Sequence, residues 1–182
     1  MNTKTILLVE DDENDAFFVR RAFDKTGVVN PLQVVRDGQE AINYLRGEGK
    51  FAQRDNFPLP GIILLDLKLP FVMGLDVLKW IRQQSDLTPI VVIVTSSAEE
   101  KDIATAYRLG ANAYLVKPTE MTRLDGMVKS INDFWLMQNT APPNFRLERR
   151  PQPMAAIETR GLDAYEQPAV TGLRAHIPRV DL

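Results

Sequence analysis

The chain contains no cysteine, and its one histidine, His176, lies far out in the C-terminal part. The lack of cysteine excludes disulfides, thiolate chemistry and cysteine-ligated metals, and it fits a cytoplasmic protein. A histidine-based triad and a metal site with several histidine ligands are excluded as well. The apolar runs are no longer than a strand, so no segment is expected to span a membrane. A charged cluster is reached by residue 10, which leaves no room for a secretory signal.

The composition is that of an ordinary globular protein. The 182 residues are 45% hydrophobic and 25% charged, enough for one domain and an appendage. The formal net charge of −2 gives no general attraction to nucleic acid or to an anionic membrane. Neither is therefore expected as a partner.

Strand and helix signals alternate from residue 4 to residue 139. Three of the five predicted strands are continuous aliphatic runs, as expected when helices cover both faces of a sheet. Five strand-helix units predict an α/β fold with a doubly wound parallel sheet. The predicted strands are 4–9, 32–36, 61–65, 90–94 and 113–116, and the predicted helices are 13–26, 38–47, 75–84, 98–109 and 120–138.

Three local patterns carry predictions of their own. Asp12 is expected to cap the first helix, and Ser97-Ala98-Glu99-Glu100 has the capping-box pattern at the start of the fourth. The connection 48–60 is long for a helix-to-strand loop and contains several aromatic and proline residues. Two interpretations of it are open: a surface excursion pinned by its aromatic side chains, or a loop that binds a partner.

Composition changes after residue 139. Residues 140–182 contain six of the twelve prolines and six arginines but no lysine, and no helical or strand period persists there. We predict one domain over 1–139 and an extended or disordered tail over 140–182. The tail is too short and too interrupted for a helix-turn-helix output domain.

Residues with reactive or charged side chains follow the predicted strands at the points where these end. Glu10 and Asp11 follow the first strand, Asp66 the third, Thr95 the fourth and Lys117 the fifth. If the strands are parallel, these ends converge in a crevice of the kind in which open α/β sheets bind ligands. Each residue alone has an ordinary interpretation, such as a turn hydroxyl or a solvated charge. Their joint occurrence predicts a site.

This set of side chains suits the transfer of a phosphoryl group. A carboxylate such as Asp66 can attack phosphorus and form an acyl phosphate, and the transferred group then needs cations and hydrogen-bond donors around it. Glu10 and Asp11 suit Mg²⁺, which prefers oxygen ligands, while Lys117 and Thr95 suit the phosphoryl oxygens. Three carboxylates, one Mg²⁺ and one lysine sum to zero charge. Without the cation, clustered carboxylates would raise one another's pKa.

Four motifs resemble the receiver domain of two-component response regulators, and the resemblance covers residues 4–138. It implies the flavodoxin-like fold with strand order 2-1-3-4-5. The motifs are ILLVEDD at 6–12, LLDLKLP at 64–70 with Gly74, VTS at 94–96 and YLVKP at 114–118.

The resemblance implies a role for each acidic residue. Asp66 is the implied phosphoacceptor, Glu10 and Asp11 are the implied acidic pair that serves Mg²⁺, and the backbone carbonyl of Lys68 is a further implied metal ligand. A lysine at position 68 departs from the small or amide residue that is frequent in the family. Its side chain either obstructs the water that hydrolyses the acyl phosphate or points to solvent, and both interpretations are open.

The other implied roles concern the phosphoryl group. Thr95 and Tyr114 are the implied switch pair, and Lys117 is the implied phosphate-binding lysine, before a cis Pro118. Ser97 is implied to flank the hydrolytic water.

A narrower resemblance concerns the subtype. The loop 48–60, Leu75-Asp76-Val77-Leu78 and Phe134-Trp135-Leu136 resemble the single-domain receivers that serve bacterial phytochrome histidine kinases. A sensor histidine kinase is therefore the implied partner. Which kinase it is remains open.

The last predicted helix ends in four consecutive apolar residues, 134–137, more than one core-facing side of a helix absorbs. Two interpretations are open. Either the tail covers these residues, or the protein forms a symmetric homodimer in which Trp135, Leu136 and Met137 are the contact.

The sequence thus predicts a single-domain receiver that accepts a phosphoryl group from a histidine kinase onto Asp66 and signals by protein contacts. It is not expected to be an enzyme with an external substrate, since it catalyses only its own phosphotransfer and autodephosphorylation. The alternative is a phosphorylation-independent adaptor of the same fold. A small-molecule phosphatase is disfavoured because Lys68 stands where a second catalytic aspartate would be expected.

Overall fold

A computed structural model describes residues 4–85, 87 and 89–140, except for the side chains at positions 121 and 122. One five-stranded sheet has the order β2-β1-β3-β4-β5, with all neighbouring strands parallel. The predicted fold class and strand order are confirmed. The strands are β1 Thr5–Val9, β2 Leu32–Val35, β3 Pro60–Leu65, β4 Ile90–Thr95 and β5 Ala113–Val116.

Helices cover both faces of the sheet. Helices α1 and α5 pack on one face, and α2, α3 and α4 pack on the other. This two-sided cover explains why β1, β3 and β4 are apolar along almost their whole length. The helices are α1 Glu13–Lys25, α2 Gly38–Arg46, α3 Gly74–Gln83, α4 Glu100–Arg108 and α5 Met121–Ile131, with a 3-10 turn at Gly49–Phe51 and a π-helical segment at Asn132–Gln138.

The core consists of two apolar clusters, one on each face. Because side chains alternate along a strand, neighbouring residues of one strand enter opposite clusters. Leu7 of β1 packs in the cluster that contains Tyr44 of α2, whereas Ile6 packs in the cluster that contains Phe23 of α1. The sheet is therefore fixed between two hydrophobic layers, and its carboxyl-terminal edge is held in place from both sides.

Of the two predicted helix caps, the structure has the one at α1 but not the one at α4. The Asp12 side chain caps α1 by accepting hydrogen bonds from two backbone N–H groups of the first turn, as predicted. The capping-box prediction for the fourth helix is wrong. Helix α4 begins at Glu100, and the Ser97 hydroxyl donates to the Asp102 carboxylate at 2.6 Å instead. In a capping box the Ser97 oxygen would accept from the N–H of Glu100, but it lies 3.4 Å from the N–H of Glu99 instead, and no side chain caps α4.

The long connection 48–60 is held by buried aromatic rings. Phe51 is buried and lies edge-on to Phe57, with 5.2 Å between the ring centroids. The Tyr44 hydroxyl donates to a carbonyl oxygen of the loop at 2.8 Å. The Arg54 guanidinium donates to two carbonyl oxygens at the end of α2. These contacts favour the pinned excursion over a loop reserved for a partner.

The predicted fifth helix, 120–138, is divided into the α-helix Met121–Ile131 and the π-helical segment Asn132–Gln138. Its last seven residues form the π-helical segment, and a π turn changes which side chains face the core. Trp135 and Leu136 are partly buried against the cluster of α1 and α5, whereas Phe134 and Met137 are exposed. Two of the three residues of the predicted dimer contact, Trp135 and Leu136, are therefore used within the chain itself, and only Met137 is exposed as predicted.

The structure bears on three further expectations from the sequence, which concern the cis proline, membrane-spanning segments and the tail. The bond before Pro118 is trans, since the described part of the chain has no cis peptide bond. The implied cis proline is thus wrong, in line with the general preference of such bonds for trans. No helix among the described residues is long and apolar enough to cross a membrane. The predicted tail lies, apart from residue 140, outside the described residues.

Candidate functional site

The register of the sheet brings the predicted site residues to one edge. The last residues of β1 and β3 are paired, so Glu10 and Asp66 leave the sheet side by side. Thr95, the last residue of β4, is paired with the last residue of β5, directly before Lys117. The convergence that the sequence predicts is therefore produced by parallel pairing, with β4 extending two residues beyond the end of β3 because Leu65 is paired with Ile93.

Asp66 lies at the floor of the crevice, with only 6% of its surface exposed. Its Oδ1 accepts hydrogen bonds from the backbone N–H groups of Leu67 and Lys68, at 2.5 and 3.2 Å. Its Oδ2 accepts from Lys117 Nζ at 2.7 Å. Both carboxylate oxygens are thus held in a fixed orientation by donors that also compensate their charge.

The loop that follows Asp66 contains a strained turn. Phe71 has a φ of 63°, a left-handed value that is rare for a bulky side chain. The N–H of Val72 bonds back across it to the carbonyl of Pro70 at 2.7 Å, which closes a three-residue turn. Strain of this kind costs on the order of 1–3 kcal/mol and persists only where surrounding contacts fix the loop. The N–H of Gly74 donates to the carbonyl oxygen of Leu67 at 2.9 Å, so the two ends of this loop are held together beside Asp66.

The ammonium group of Lys117 has three donors and three carboxylate partners. Its Nζ lies 2.6 Å from Glu10 Oε2, 2.7 Å from Asp66 Oδ2 and 2.8 Å from Asp15 Oδ2. Burial by itself would lower the pKa of Lys117, but the hydrogen bonds to the three carboxylates outweigh burial and raise that pKa. The lysine is consequently a permanent positive charge at the centre of an acidic crevice.

Glu10, Asp11 and Asp66 can converge on one point, since an oxygen from each carboxylate lies within 4.8 Å of the other two. Burial raises the pKa of Glu10 to about 7; the hydrogen bond from Lys117 opposes this shift, and the charges of Asp66 and Asp15 add to it. Repulsion between carboxylates is thus present, as predicted, although burial is the larger cause. Oxygen donors at this spacing fit a hard divalent cation, which would offset the repulsion.

Thr95 and Tyr114, the implied switch pair, are linked through the loop between β4 and α4. Thr95 is fully buried, and the N–H of Ser97 lies 3.4 Å from its Oγ1. The Tyr114 hydroxyl donates to the backbone carbonyl oxygen of Ser97 at 3.0 Å. Because the Ser97 hydroxyl donates to Asp102, its hydrogen already has an acceptor away from the implied hydrolytic water.

Asp15 is the site residue that the sequence analysis missed. It lies in the first turn of α1, where an acidic residue is ordinarily explained by the helix dipole. Its partner Lys117 is 102 positions away, and no spacing in the sequence points to the contact. The Lys68 side chain is exposed, in agreement with the interpretation that it points to solvent.

The fold and this crevice define a class of protein. The response regulator receiver domain family matches residues 6–129 of the chain. The chain belongs to this family. It is therefore a phosphorelay receiver, a signalling domain rather than a classical enzyme, and the constitutive adaptor is not favoured.

The relatives that it resembles include receivers of phytochromes, which confirms the predicted subtype resemblance. Response regulator Rcp1 of Synechocystis sp. (strain ATCC 27184 / PCC 6803 / Kazusa) is 39% identical over 140 residues, which are 76% of this chain and 93% of Rcp1. The Mn²⁺-bound crystal structure of Rcp1 has a TM-score of 0.69 at 38% identity, covering 76% of this chain and 99% of Rcp1. The phosphorylated cyanobacterial phytochrome response regulator RcpA has a TM-score of 0.71 at 38% identity, covering 76% of this chain and 98% of RcpA. The bacteriophytochrome response regulator RtBRR has a TM-score of 0.62 at 44% identity, covering 77% of this chain and 84% of RtBRR.

Proposed function

We propose that Asp66 accepts a phosphoryl group from the phosphohistidine of a sensor histidine kinase. The observation that carries this proposal is the contact of Asp66 Oδ2 with Lys117 Nζ at 2.7 Å, at the floor of the crevice. A carboxylate oxygen forms the new bond to phosphorus while the phosphorus–nitrogen bond breaks, and the imidazole leaves with that electron pair. Lys117 then pairs with a negative phosphoryl oxygen.

Glu10, Asp11 and Asp66, with the backbone carbonyl of Lys68, are the proposed ligands of Mg²⁺. The three converging carboxylates and the Mn²⁺-bound form of Rcp1 support a divalent cation, and all-oxygen ligands suit Mg²⁺. When bound, the cation neutralises charge on the transferred phosphoryl group. Asp11 is exposed at the mouth of the crevice, where its carboxylate can turn to a ligand position without loss of buried contacts.

Thr95 and Tyr114 are the proposed switch. The buried Thr95 hydroxyl can donate to a phosphoryl oxygen on Asp66, and any shift of Thr95 acts on the Ser97 N–H beside it. Since Tyr114 is bonded to the carbonyl of Ser97, the shift reaches a side chain at the surface of β5. A hydrogen bond formed at the site thereby changes the surface to which a partner protein binds.

The test is the intact mass after incubation with acetyl phosphate and Mg²⁺. We expect a gain of one phosphoryl group that requires the divalent cation and is removed by hydroxylamine, which cleaves acyl phosphates but not phosphoserine or phosphothreonine. An unchanged mass under these conditions would favour the phosphorylation-independent adaptor.

The proposed partner is a sensor histidine kinase, of the phytochrome type by similarity to RcpA and RtBRR. We propose a cytoplasmic receiver over residues 1–139 that signals by protein contacts, without nucleic acid or membrane as partner, and a tail over 140–182. Its own chemistry is limited to phosphotransfer and autodephosphorylation.

The raised pKa of Glu10, about 7, makes a prediction for Mg²⁺ binding. A proton on Glu10 competes with the cation. The affinity for Mg²⁺ therefore has its full value at pH values above 7 and falls as the pH drops through 7. We expect Mg²⁺ to bind about tenfold more weakly at pH 6 than at pH 8, as measured by calorimetry. In Glu10→Gln the affinity is lower at pH 8 and this pH dependence is lost. Equal affinity at both pH values in the parent would contradict the assignment of Glu10.

We also propose a symmetric homodimer formed through the end of α5. The supporting observation is the exposure of Phe134 and Met137, at 52% and 75%, on a segment whose neighbours Trp135 and Leu136 already pack on the core. The Phe134 ring stands edge-on to the Trp135 ring, with 4.7 Å between centroids, so the exposed ring is held on a fixed support. Met137 and Phe134 are therefore the central contacts of this proposed interface, with Trp135 and Leu136 beneath them.

The dimer predicts a specific change in association. Phe134→Ser and Met137→Ser are each expected to raise the dimer dissociation constant at least about tenfold in sedimentation experiments, since anchors at an interface centre carry most of the binding energy. Phe17→Ser is the matched control, because Phe17 is an aromatic residue of α1 that is 59% exposed. A parent protein that remains monomeric at high micromolar concentration would rule the dimer out.

A further inference from the structure

Lys117 has one carboxylate partner that neither the phosphoryl transfer nor the metal site uses. Asp66 is the proposed phosphoacceptor, and Glu10 is a proposed metal ligand. Asp15 comes from a different element, the first turn of α1, and places Oδ2 at 2.8 Å from Lys117 Nζ. The Lys117 side chain is 14% exposed and that of Asp15 is 43% exposed, so the pair lies at the wall of the crevice.

We propose that Asp15 is a positioning residue, which holds the Lys117 ammonium in place while its other two partners change. The inference rests on the proposed function. When Asp66 becomes an acyl phosphate, its carboxylate charge is lost, and when a cation binds, Glu10 is drawn toward it. Two of the three hydrogen bonds of the ammonium are therefore redirected during the cycle. Asp15 alone can keep its bond throughout.

A flexible side chain needs such a fixed partner. Lysine is a point charge on a flexible four-carbon stem, and ordering that stem costs conformational entropy. If the ordering is supplied only by Asp66 and Glu10, it is weakest at the stage when Lys117 has to face the phosphoryl group. Asp15 orders the stem independently of the state of the site.

Asp15 is itself well anchored. Its backbone N–H donates to the Asp12 side chain at 3.1 Å, within the cap of α1. The next residue, Ala16, and Val19 one turn further are buried against the sheet. The first turn of α1 is thus fixed by its cap and by the core, and Asp15 links it to the loop that follows β5.

The charge balance shows that Asp15 is not needed for neutralisation. Glu10, Asp11, Asp66 and Asp15 carry four negative charges, whereas Lys117 and a divalent cation carry three positive ones. The first three carboxylates already balance the cations, so Asp15 adds one uncompensated charge. Its contribution is therefore the geometry of Lys117, and because the pair is partly exposed we expect a moderate effect.

The test is the affinity of the full chain for beryllofluoride, a phosphoryl mimic, in the presence of Mg²⁺. We expect Asp15→Ala to weaken this affinity about fivefold, the upper end of the range for an ion pair with a half-exposed partner. Asp15→Asn keeps an oxygen acceptor and is expected to lie between the parent and Asp15→Ala. Glu13→Ala is the matched control. Glu13 is an acidic residue of the same helix turn, but it pairs with Arg36 and not with Lys117.

A second readout separates positioning from general structure. In ¹⁵N NMR, the Lys117 ammonium signal of the parent and of Glu13→Ala is expected to be protected from exchange with water, with and without beryllofluoride. Asp15→Ala is expected to lose that protection in the beryllofluoride-bound state. If Asp15→Ala binds beryllofluoride like Glu13→Ala, or keeps the protected signal, the positioning role is overturned. A parent that binds no beryllofluoride would instead overturn the proposed function together with this inference.

Discussion

Asp66→Asn is expected to reduce phosphorylation by acetyl phosphate at least about a hundredfold, to the background of the assay. An amide oxygen is a poor nucleophile, so the acyl phosphate cannot form at a useful rate. The substitution keeps the size of the side chain and leaves an oxygen to accept from the N–H groups of Leu67 and Lys68. The folded protein should therefore persist while the chemistry is lost. Intact mass after incubation with Mg²⁺ measures the effect.

The matched control is Asp12→Asn, which alters an exposed carboxylate next to the acidic pair. Asparagine caps helices as well as aspartate does, so α1 should be undisturbed and the mass gain retained. A mass gain that persists undiminished in Asp66→Asn would show that another residue accepts the phosphoryl group.

Gly74→Ala is expected to destabilise the protein by about 3 kcal/mol, because an added methyl group has no room. A Cβ at position 74 would lie 2.0 Å from the backbone carbonyl oxygen of Asp66 and 2.8 Å from Leu67 Cα. Both neighbours are main-chain atoms of the segment that carries the phosphoacceptor, so relief of the overlap has to move that segment. A fall in melting temperature of about 10 °C is expected for a domain of this size.

Gly126→Ala provides the comparison for this effect. A Cβ there meets nothing within 4 Å, and the residue lies in the interior of α5. Alanine favours a helix over glycine by about 0.5–1 kcal/mol, so this variant should melt slightly above the parent. If Gly74→Ala melts at the temperature of the parent, the close approach of α3 to the Asp66 backbone is not present in solution.

Much of the fold could be predicted from the sequence because its signals are local. Continuous aliphatic runs specify strands that are buried on both faces, and Asp12 is a cap whose partners lie in the next turn. Where a residue had a competing partner elsewhere, prediction from the sequence failed. Ser97 donates to Asp102, and no side chain caps α4. The regular helical period of Leu124, Val128 and Ile131 continues to Trp135, but Leu136, which also packs on the core in the π-helical segment, lies outside that period.

The sequence by itself determined the parallel sheet and which residues stand at its carboxyl-terminal edge. Strand runs fix the sheet, and parallel pairing then brings Glu10, Asp66, Thr95 and Lys117 together without further information. Only the tertiary structure decided which carboxylates hold Lys117. Asp15 reaches it because α1 packs on the same face of the sheet as α5, and a contact across 102 positions depends on that packing rather than on any local preference of the chain.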